Sequence, residues 1–551
     1  MGANAKDSPG SEEGTNLNPP NGRKEADHPD FSEDQIKQIR KLTSIGTALS
    51  AERNIERLLE MIVEEAREFT GADGGALYIL SEDESELQFA IVQTESLHIR
   101  MGGTGGRIAW KPVPLQNPDG SPNHGNVSAH VVLTGNTINI KDVYDTDGFD
   151  FRGTRDFDAH TGYRSKSMLV VPMKNHENDI IGALQLLNAR DKSRKQIVSF
   201  SREFQEMTES LASQAAVALS NKRLIHNLET LMESFVHAIA SAIDEKSHYT
   251  GGHVRRVAEL TMTIARKIND MREGSYADIY FSNDQLKELQ TAAWLHDVGK
   301  ITTPEYVVDK ATKLETIFDR IEILRLRFEL CGLQAKLRRL NKDALSEAAT
   351  AEEGDETESL LREELRFLSE ANLGSERMSD EMMDRVRKIA RRSWDLDGKT
   401  QELLTSEEVE NLNIRQGTLS AKEREIIQNH AAMTHKILSQ LPFPKKMRHV
   451  PEYAASHHEM LNGKGYPKGL VAAQISLQSR ILALADIFEA LTAKDRPYRK
   501  GKTLSDTMKI LSMMVKSGHI DPDLYALFQM EGIHLDYARR ELSPEQIDSG
   551  D

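Results

Sequence analysis

Cysteine is almost absent from this chain: Cys331 is the single one in 551 residues. No intramolecular disulfide can form and no thiolate cluster can hold a metal, which fits a reducing compartment. Any bound metal must then be held by imidazole and carboxylate. Long apolar runs are also missing; no stretch of about 18 residues suits a bilayer span, and the N-terminus has no apolar core of a secretory signal. A cytoplasmic protein with no membrane partner is expected. Positive charge is scarce as well, with a net charge of -16 on a chain that is 28% charged. Without a long basic block, a nucleic-acid polymer is not an expected partner.

The length exceeds what one core usually supports, so several domains are expected. Residues 1–30 are poor in aliphatics and rich in Pro, Gly, Asn and charge, the composition of a disordered tail. From Ser32 the pattern turns helical, with Ile36, Ile39, Leu42, Ile45 and Leu49 at spacings of three and four. Short apolar runs at 74–80, 87–92, 167–173 and 180–188 read as strands between turn residues. Helices flanking such strands predict an α+β domain over 31–222. Residues 203–240 read as one long helix, with Leu224, Leu228, Leu231, Phe235 and Ile239 in a narrow apolar stripe. Such a stripe suits a two-helix seam, so a signalling helix in a homodimer is expected. The remainder, 235–538, is almost wholly helical, and 539–551 reads as a tail. Residues 311–416 are expected to be an inserted helical hairpin, with Leu314, Ile317, Ile321, Leu324 and Phe328 at helical spacing.

The chemistry lies in the helical half. His296 and Asp297 in WLHDVGK can place an imidazole and a carboxylate on one ion, and His253, His430, His457, His458 and Asp486 add further donors. Mixed imidazole and carboxylate ligands suit iron or manganese, and two such ions suit in-line attack at phosphorus. The GKGYP segment (463–467) is a tight loop by its glycines and proline, in which Tyr466 has a packing role open to it.

HDVGK (296–300), His430, HHEMLNGKGYPKGL (457–470) and ALADIFEALTAKDRPYRK (483–500), in that order, resemble the HD-GYP phosphodiesterases, a subgroup of the HD phosphohydrolases. The resemblance implies an all-α metallophosphohydrolase domain in which His253, His296, Asp297 and Asp486 hold one divalent ion. It implies that His430, His457 and His458 hold a second, bridged by Asp297. It also implies that Lys300 meets a phosphate oxygen, that Gly465, Tyr466 and Pro467 form the substrate-side lip, and that Arg496, Arg499 and Lys500 meet nucleotide phosphates. The implied reaction is hydrolysis of cyclic di-GMP to pGpG or GMP. Hydrolysis of cyclic GMP-AMP, or a silent receptor or scaffold for the dinucleotide or for a diguanylate cyclase, are the alternatives. Three positions depart from the family pattern: Tyr249, where some members have a glutamate that supplies a third metal, and Leu461 and Asn462 before the GYP loop.

Residues 138–151, 160–173 and 179–191 resemble a GAF domain, which implies a small-molecule ligand, with a cyclic nucleotide among the candidates. The constellation found in cyclic-nucleotide-binding members is incomplete here: Asn188 is followed by Ala189, and Phe200 precedes Phe204 and Gln205 where an acidic pair is expected.

Overall fold

The computed structural model describes residues 33–52, 54–191, 196–246, 251–343, 352–396, 398–493 and 501–548. The expected tail at 1–30, Tyr249, and Arg496, Arg499 and Lys500 lie outside the described residues. The chain divides into two compact units, Met1–Glu229 and Thr230–Asp551.

The first unit opens with α1 (Glu33–Ala51) and α2 (Ile55–Thr70). Asn54 caps α2 by accepting from the Arg57 N–H, and Gly71 in the left-handed region ends it. An antiparallel sheet follows, built from β1 (Ala72–Leu80), β2 (Glu86–Thr94), β3 (Ile99–Gly102), β4 (Val113–Pro114), β5 (Ile138–Ile140), β6 (Met168–Lys174), β7 (Ile180–Arg190) and β8 (Ile197–Val198). Its order is β3-β2-β1-β7-β6-β5, with β4 on β2 and β8 on β7. Two short helices, α3 (Val127–Thr134) and α4 (Arg152–Thr161), lie between the strands in sequence.

Successive side chains of a strand point to opposite faces, and here both faces are covered. Leu77, Leu169, Val171, Leu184 and Leu186 pack with α1 and α2 in one core. Ala76, Tyr78, Met168, Val170 and Ala183 pack with α3 in another. Two-sided burial is why these strands read as continuous apolar runs rather than as alternating patterns.

The long helix α5 spans Arg202–Lys246, and the unit boundary falls within it. Leu211, Ala215 and Leu219 belong to the first core, and Val236 and Ile243 to a core of the second unit. Between them Leu224, Leu228, Leu231 and Phe235 are exposed by 52–64%.

The second unit contains α6 (His253–Asp270), α7 (Asn283–Leu295), α8 (Glu305–Val308), α9 (Ile321–Asp343), α10 (Glu352–Asn372), α11 (Asp380–Ala390), β9 (Ser393–Leu396), β10 (Lys399–Glu402), α12 (Ser406–Leu412), α13 (Ala421–Leu438), α14 (Val450–Ala455), α15 (Leu477–Thr492), α16 (Leu504–Lys516), α17 (Pro522–Met530) and α18 (Ile533–Glu541). Its main core joins α6 and α7 to α15–α18.

Residues 314–412 form a core of their own, in which Leu314, Leu324, Phe328, Leu368, Val386 and Leu412 meet. This part is more than the expected hairpin: it adds α11, α12 and the antiparallel β9–β10 pair. The proposed stripe is also corrected. The helix begins only at Ile321, and Ile317, in the loop before it, is 96% exposed. The expected C-terminal tail is a second correction, because residues 539–548 are tied down. Gln546 is buried and donates to the carbonyls of Thr492 (2.9 Å) and Lys502 (3.0 Å). Asp548 accepts from the N–H of Ser505 at 2.9 Å.

The insertion leaves and rejoins the helices of the main core at one place, since the Thr418 hydroxyl donates to the Lys310 carbonyl at 3.0 Å and the Lys310 amine meets Glu423 at 2.8 Å. With its ends so close and its core separate, replacing residues 312–416 by a short Gly-Ser bridge is expected to leave metal content at the parent value. Elemental analysis of the purified deletion protein checks this, and loss of metal would show that the insertion belongs to the site.

Candidate metal centre

The site is assembled at the ends of helices. A capping box of Ser282 and Gln285 starts α7, and the helix stops at Leu295, so His296 and Asp297 follow at its end and a 3-10 turn, Val298–Thr302, carries Lys300. His253 opens α6, His430 lies in α13, His457 and His458 follow α14, and Asp486 lies in α15. The structure brings all seven expected donors together. His253, His296 and Asp297 form one group and His430, His457 and His458 another, each with donor atoms within 4.8 Å.

Asp297 stands between the groups. Its Oδ2 lies 3.6 Å from His253 Nε2 and 3.4 Å from His296 Nε2. Its Oδ1 lies 3.4 Å from His430 Nε2 and 4.0 Å from His457 Nε2. Asp486 Oδ1 completes the first group at 3.4 Å from His253 Nε2 and 3.8 Å from His296 Nε2. Lys300 Nζ reaches Asp297 Oδ2 at 2.5 Å.

The other ring nitrogens fix the tautomers. Nδ1 of His296, His430 and His457 meets the carbonyls of Ala293 (2.8 Å), Ile427 (2.5 Å) and Ala454 (2.6 Å). A carbonyl only accepts, so each Nδ1 carries the hydrogen and each Nε2 presents a lone pair to the site. Those three Nε2 atoms are buried without a hydrogen-bond partner. Unpartnered buried imidazole nitrogens facing carboxylates are what a divalent cation requires, so the donor set fits one in each group.

The electrostatics differ between the groups. Burial opposes ionisation of Asp297, yet Lys300 and His296 hold its carboxyl well below the usual range. Burial likewise opposes ionisation of Asp486, and the facing His253 and His296 lower it. Burial also disfavours charge on His253 and His296, but Glu489 and Asp297 raise the first and Asp297 the second. In the second group burial prevails: His430 and His457 are lowered, and His458 falls to about 4, so these rings are neutral and ready to donate.

Four residues not identified from sequence support the site. Glu489, fully buried one turn after Asp486, bonds His253 Nδ1 through Oε2 and accepts from Arg256 Nε through Oε1 at 2.6 Å. Thr434, one turn after His430, accepts from the Gly299 N–H at 2.9 Å and donates to the His296 carbonyl at 3.0 Å. Gly299 itself is forced by this approach, because a Cβ there would stand 1.9 Å from the His430 carbonyl. Glu459, buried, accepts from the N–H groups of Lys468 (2.7 Å) and Leu470 (2.8 Å) and so pins the GYP loop. The signal available was helical spacing from a named donor for Glu489 and Thr434, and adjacency to His458 for Glu459.

In that loop Tyr466 packs on His458 with ring centroids 4.7 Å apart, and its N–H donates to the His458 carbonyl at 3.2 Å. Gly465 leaves no room for a side chain, since a Cβ would stand 2.3 Å from the Met460 nitrogen. Asn462 anchors the loop: its amide donates to the Ser517 carbonyl at 2.8 Å and its backbone N–H to that of Gly518 at 2.9 Å. Pro467 follows Tyr466 through a cis peptide bond.

The first unit holds a separate cavity of about 770 Å³, lined by aromatic rings including Tyr78, Phe89, Trp110 and Phe157 and by Asn123 and Gln185. Asn188 does not line it; its side chain instead accepts from the Lys166 N–H (2.7 Å) and donates to the Arg164 carbonyl (2.8 Å).

An α+β unit is thus followed by a helical unit with a histidine–aspartate centre. The family model for GAF domains matches residues 54–219, and two models for HD domains match 250–391 and 404–524. The two HD stretches share one core and each supplies candidate donors to the one site. This chain therefore carries a GAF domain followed by an HD region, and its homologues are named cyclic dinucleotide phosphodiesterases. Over 109 residues it is 41% identical to the 3'3'-cGAMP-specific phosphodiesterase 1 of Vibrio cholerae, covering 20% of this chain and 24% of that one. Over 137 residues it is 29% identical to the cyclic di-GMP phosphodiesterase of Thermotoga maritima, covering 25% and 37%. The chain thus spans about a quarter to two fifths of the length of these relatives. A solved GAF domain from an Acinetobacter phosphoenolpyruvate-protein phosphotransferase aligns at 14% identity and a TM-score of 0.26, covering 35% of this chain and 98% of that one. Among the described residues no helix is long and apolar enough to cross a membrane.

Ligand-orienting partners of metal sites typically contribute 10–100-fold to affinity. Glu489→Gln is therefore expected to weaken cation binding by about 10–100-fold, measured by equilibrium dialysis against manganese, with the helical circular dichroism signal retained.

Proposed function

We propose that the chain is a metal-dependent phosphodiesterase that hydrolyses cyclic di-GMP to pGpG or GMP under the control of its GAF domain. The observation that carries this reading is the division of one carboxylate: Asp297 turns one oxygen to His253 and His296 and the other to His430 and His457. His253, His296 and Asp486 would hold one cation and His430, His457 and His458 the other, with Asp297 shared, and iron or manganese fits this donor chemistry. When bound, two such cations acidify a water and neutralise charge on a phosphodiester. Lys300, beside Asp297, would meet a non-bridging phosphate oxygen. Gly465, Tyr466 and Pro467 would form the lip that orients a nucleotide, with Tyr466 held over His458. Arg496, Arg499 and Lys500 would meet the remaining phosphate. A second reading, hydrolysis of cyclic GMP-AMP at the same centre, is supported by the 41% identical relative whose name specifies that substrate.

Metal-loaded protein incubated separately with cyclic di-GMP and with cyclic GMP-AMP is expected to yield linear dinucleotide or mononucleotide from the first, resolved by chromatography. Asp297→Ala is expected to abolish turnover while sparing the fold. Cleavage of cyclic GMP-AMP alone would favour the second reading, and binding without cleavage a silent receptor or scaffold.

The GAF cavity would hold a small regulatory ligand, a cyclic nucleotide among the candidates, since its aromatic rings and amides suit a flat base. The exposed stripe on α5 would pair two copies in a cytoplasmic homodimer, and a diguanylate cyclase is a candidate partner. Two paired helices can adopt discrete packings, and a ligand that prefers one shifts the population by its differential affinity. Each residue added to a helix rotates the downstream chain by roughly 100°. One- or two-residue insertions near Asn221 are therefore expected to uncouple hydrolysis from the GAF ligand, whereas a full heptad restores the phase. Ligand-dependent turnover in the three insertion proteins checks this, and a parental response in all of them would reduce α5 to a tether.

A further inference from the structure

The last turn of α5 touches the metal centre through charged side chains that no part of the reaction uses. Lys246, its final residue, donates from Nζ to three carbonyls of one turn: Lys300 at 3.1 Å, Ile301 at 2.6 Å and Thr303 at 2.8 Å. An ammonium has three hydrogens, and all three are spent on the turn that follows Asp297 and carries Lys300. Two residues earlier, Asp244 faces the start of α6. Burial raises its carboxyl, while His253 and the Val254 and Gly252 N–H groups act to lower it. On the same turn, Ile243 packs in a cluster with Leu295 and Val298, which flank the His296–Asp297 pair.

We infer that this last turn of α5 is a clamp in which Lys246 is a positioning residue, acting chiefly on the first cation position. His253 and Asp297 come from different elements, and the 3.6 Å between their facing atoms depends on where α6 and the 298–302 turn are held. Lys246 holds that turn. The second position is fixed by other means: His430 and His457 are set by carbonyls of their own helices, and Thr434 joins α13 to the HD turn. Apolar contacts of Val236 and Ile243 do extend to α14, but the polar ties of Lys246 run to the turn that follows Asp297. Displacing the end of α5 would therefore open the first position and leave the second loaded, a switch between a two-cation and a one-cation centre. The inference rests on the two-cation reading of the site and requires no particular substrate.

The test uses the full chain, stripped of metal and titrated with manganese by equilibrium dialysis. Lys246→Met keeps the length of the side chain and removes its three donors. It is expected to lower the affinity of one manganese equivalent by about tenfold or more and to weaken the other less. Lys246→Arg, which still donates to carbonyls, is expected to restore most of the loss. Combining Lys246→Met with His430→Ala, which spares only the first position, is expected to leave a single equivalent bound about tenfold or more weaker than in His430→Ala alone. Combined with His296→Ala, which spares only the second, it is expected to cause a smaller further loss. Parent-like affinities in Lys246→Met, or equal weakening at both positions, would overturn the inference; Lys246→Gln gives the same readout if the methionine variant fails to fold. Failure of the parent itself to bind two equivalents would instead overturn the two-cation reading.

Discussion

The buried carboxylate of Asp297 is the constraint on which the second unit depends. A charge taken out of water must be compensated nearby, and here Lys300, the adjacent His296 and the distant His253 compensate it. To bring those groups within reach, α7 must end at Leu295, α13 must come close enough to exclude a side chain at Gly299, and α6 and α15 must cross so that His253 meets both Asp486 and Glu489. The packed core of α6, α7 and α15 to α18 holds this crossing in place. Each histidine that donates Nδ1–H to a carbonyl gives up one ring nitrogen to fix the other, and the resulting unpartnered Nε2 atoms would be costly unless a cation shared them.

Much of the candidate site was legible because histidine and aspartate are chemically distinctive residues and here stand in short, ordered motifs. All seven donors meet, and the GAF strands fall close to the expected apolar runs. What was hidden is the support. Glu489 and Thr434 look like ordinary polar faces of helices until the fold sets His253 and the Gly299 turn against them. The insertion misled for another reason: Leu314 and Ile317 continue the helical spacing of α9, but only tertiary packing shows that Leu314 joins the core from outside the helix while Ile317 stays in solvent. The last residues likewise read as a tail because one buried glutamine, Gln546, gives no periodic signal although it closes the end of α15.

The two units are built differently around their functional regions. The GAF sheet buries both faces yet leaves a cavity walled by rings and amides, with Asn188 occupied in holding backbone. The HD region fills its centre with ionisable groups instead. The helix α5 belongs to both, and its exposed leucines contrast with the packed Leu219 before them and the packed Val236 after them. That change from covered to bare and back is what a segment reserved for a partner helix would show.

The central claim is that Asp297 is shared by two cations. Crystals of the manganese-loaded protein, with diffraction recorded on the high-energy side of the manganese edge, measure this directly. The account predicts two anomalous peaks about 3.5–4 Å apart, one on the His253 and His296 side of Asp297 and the other on the His430 and His457 side. One peak, or two with Asp297 contacting neither or only one, would contradict it.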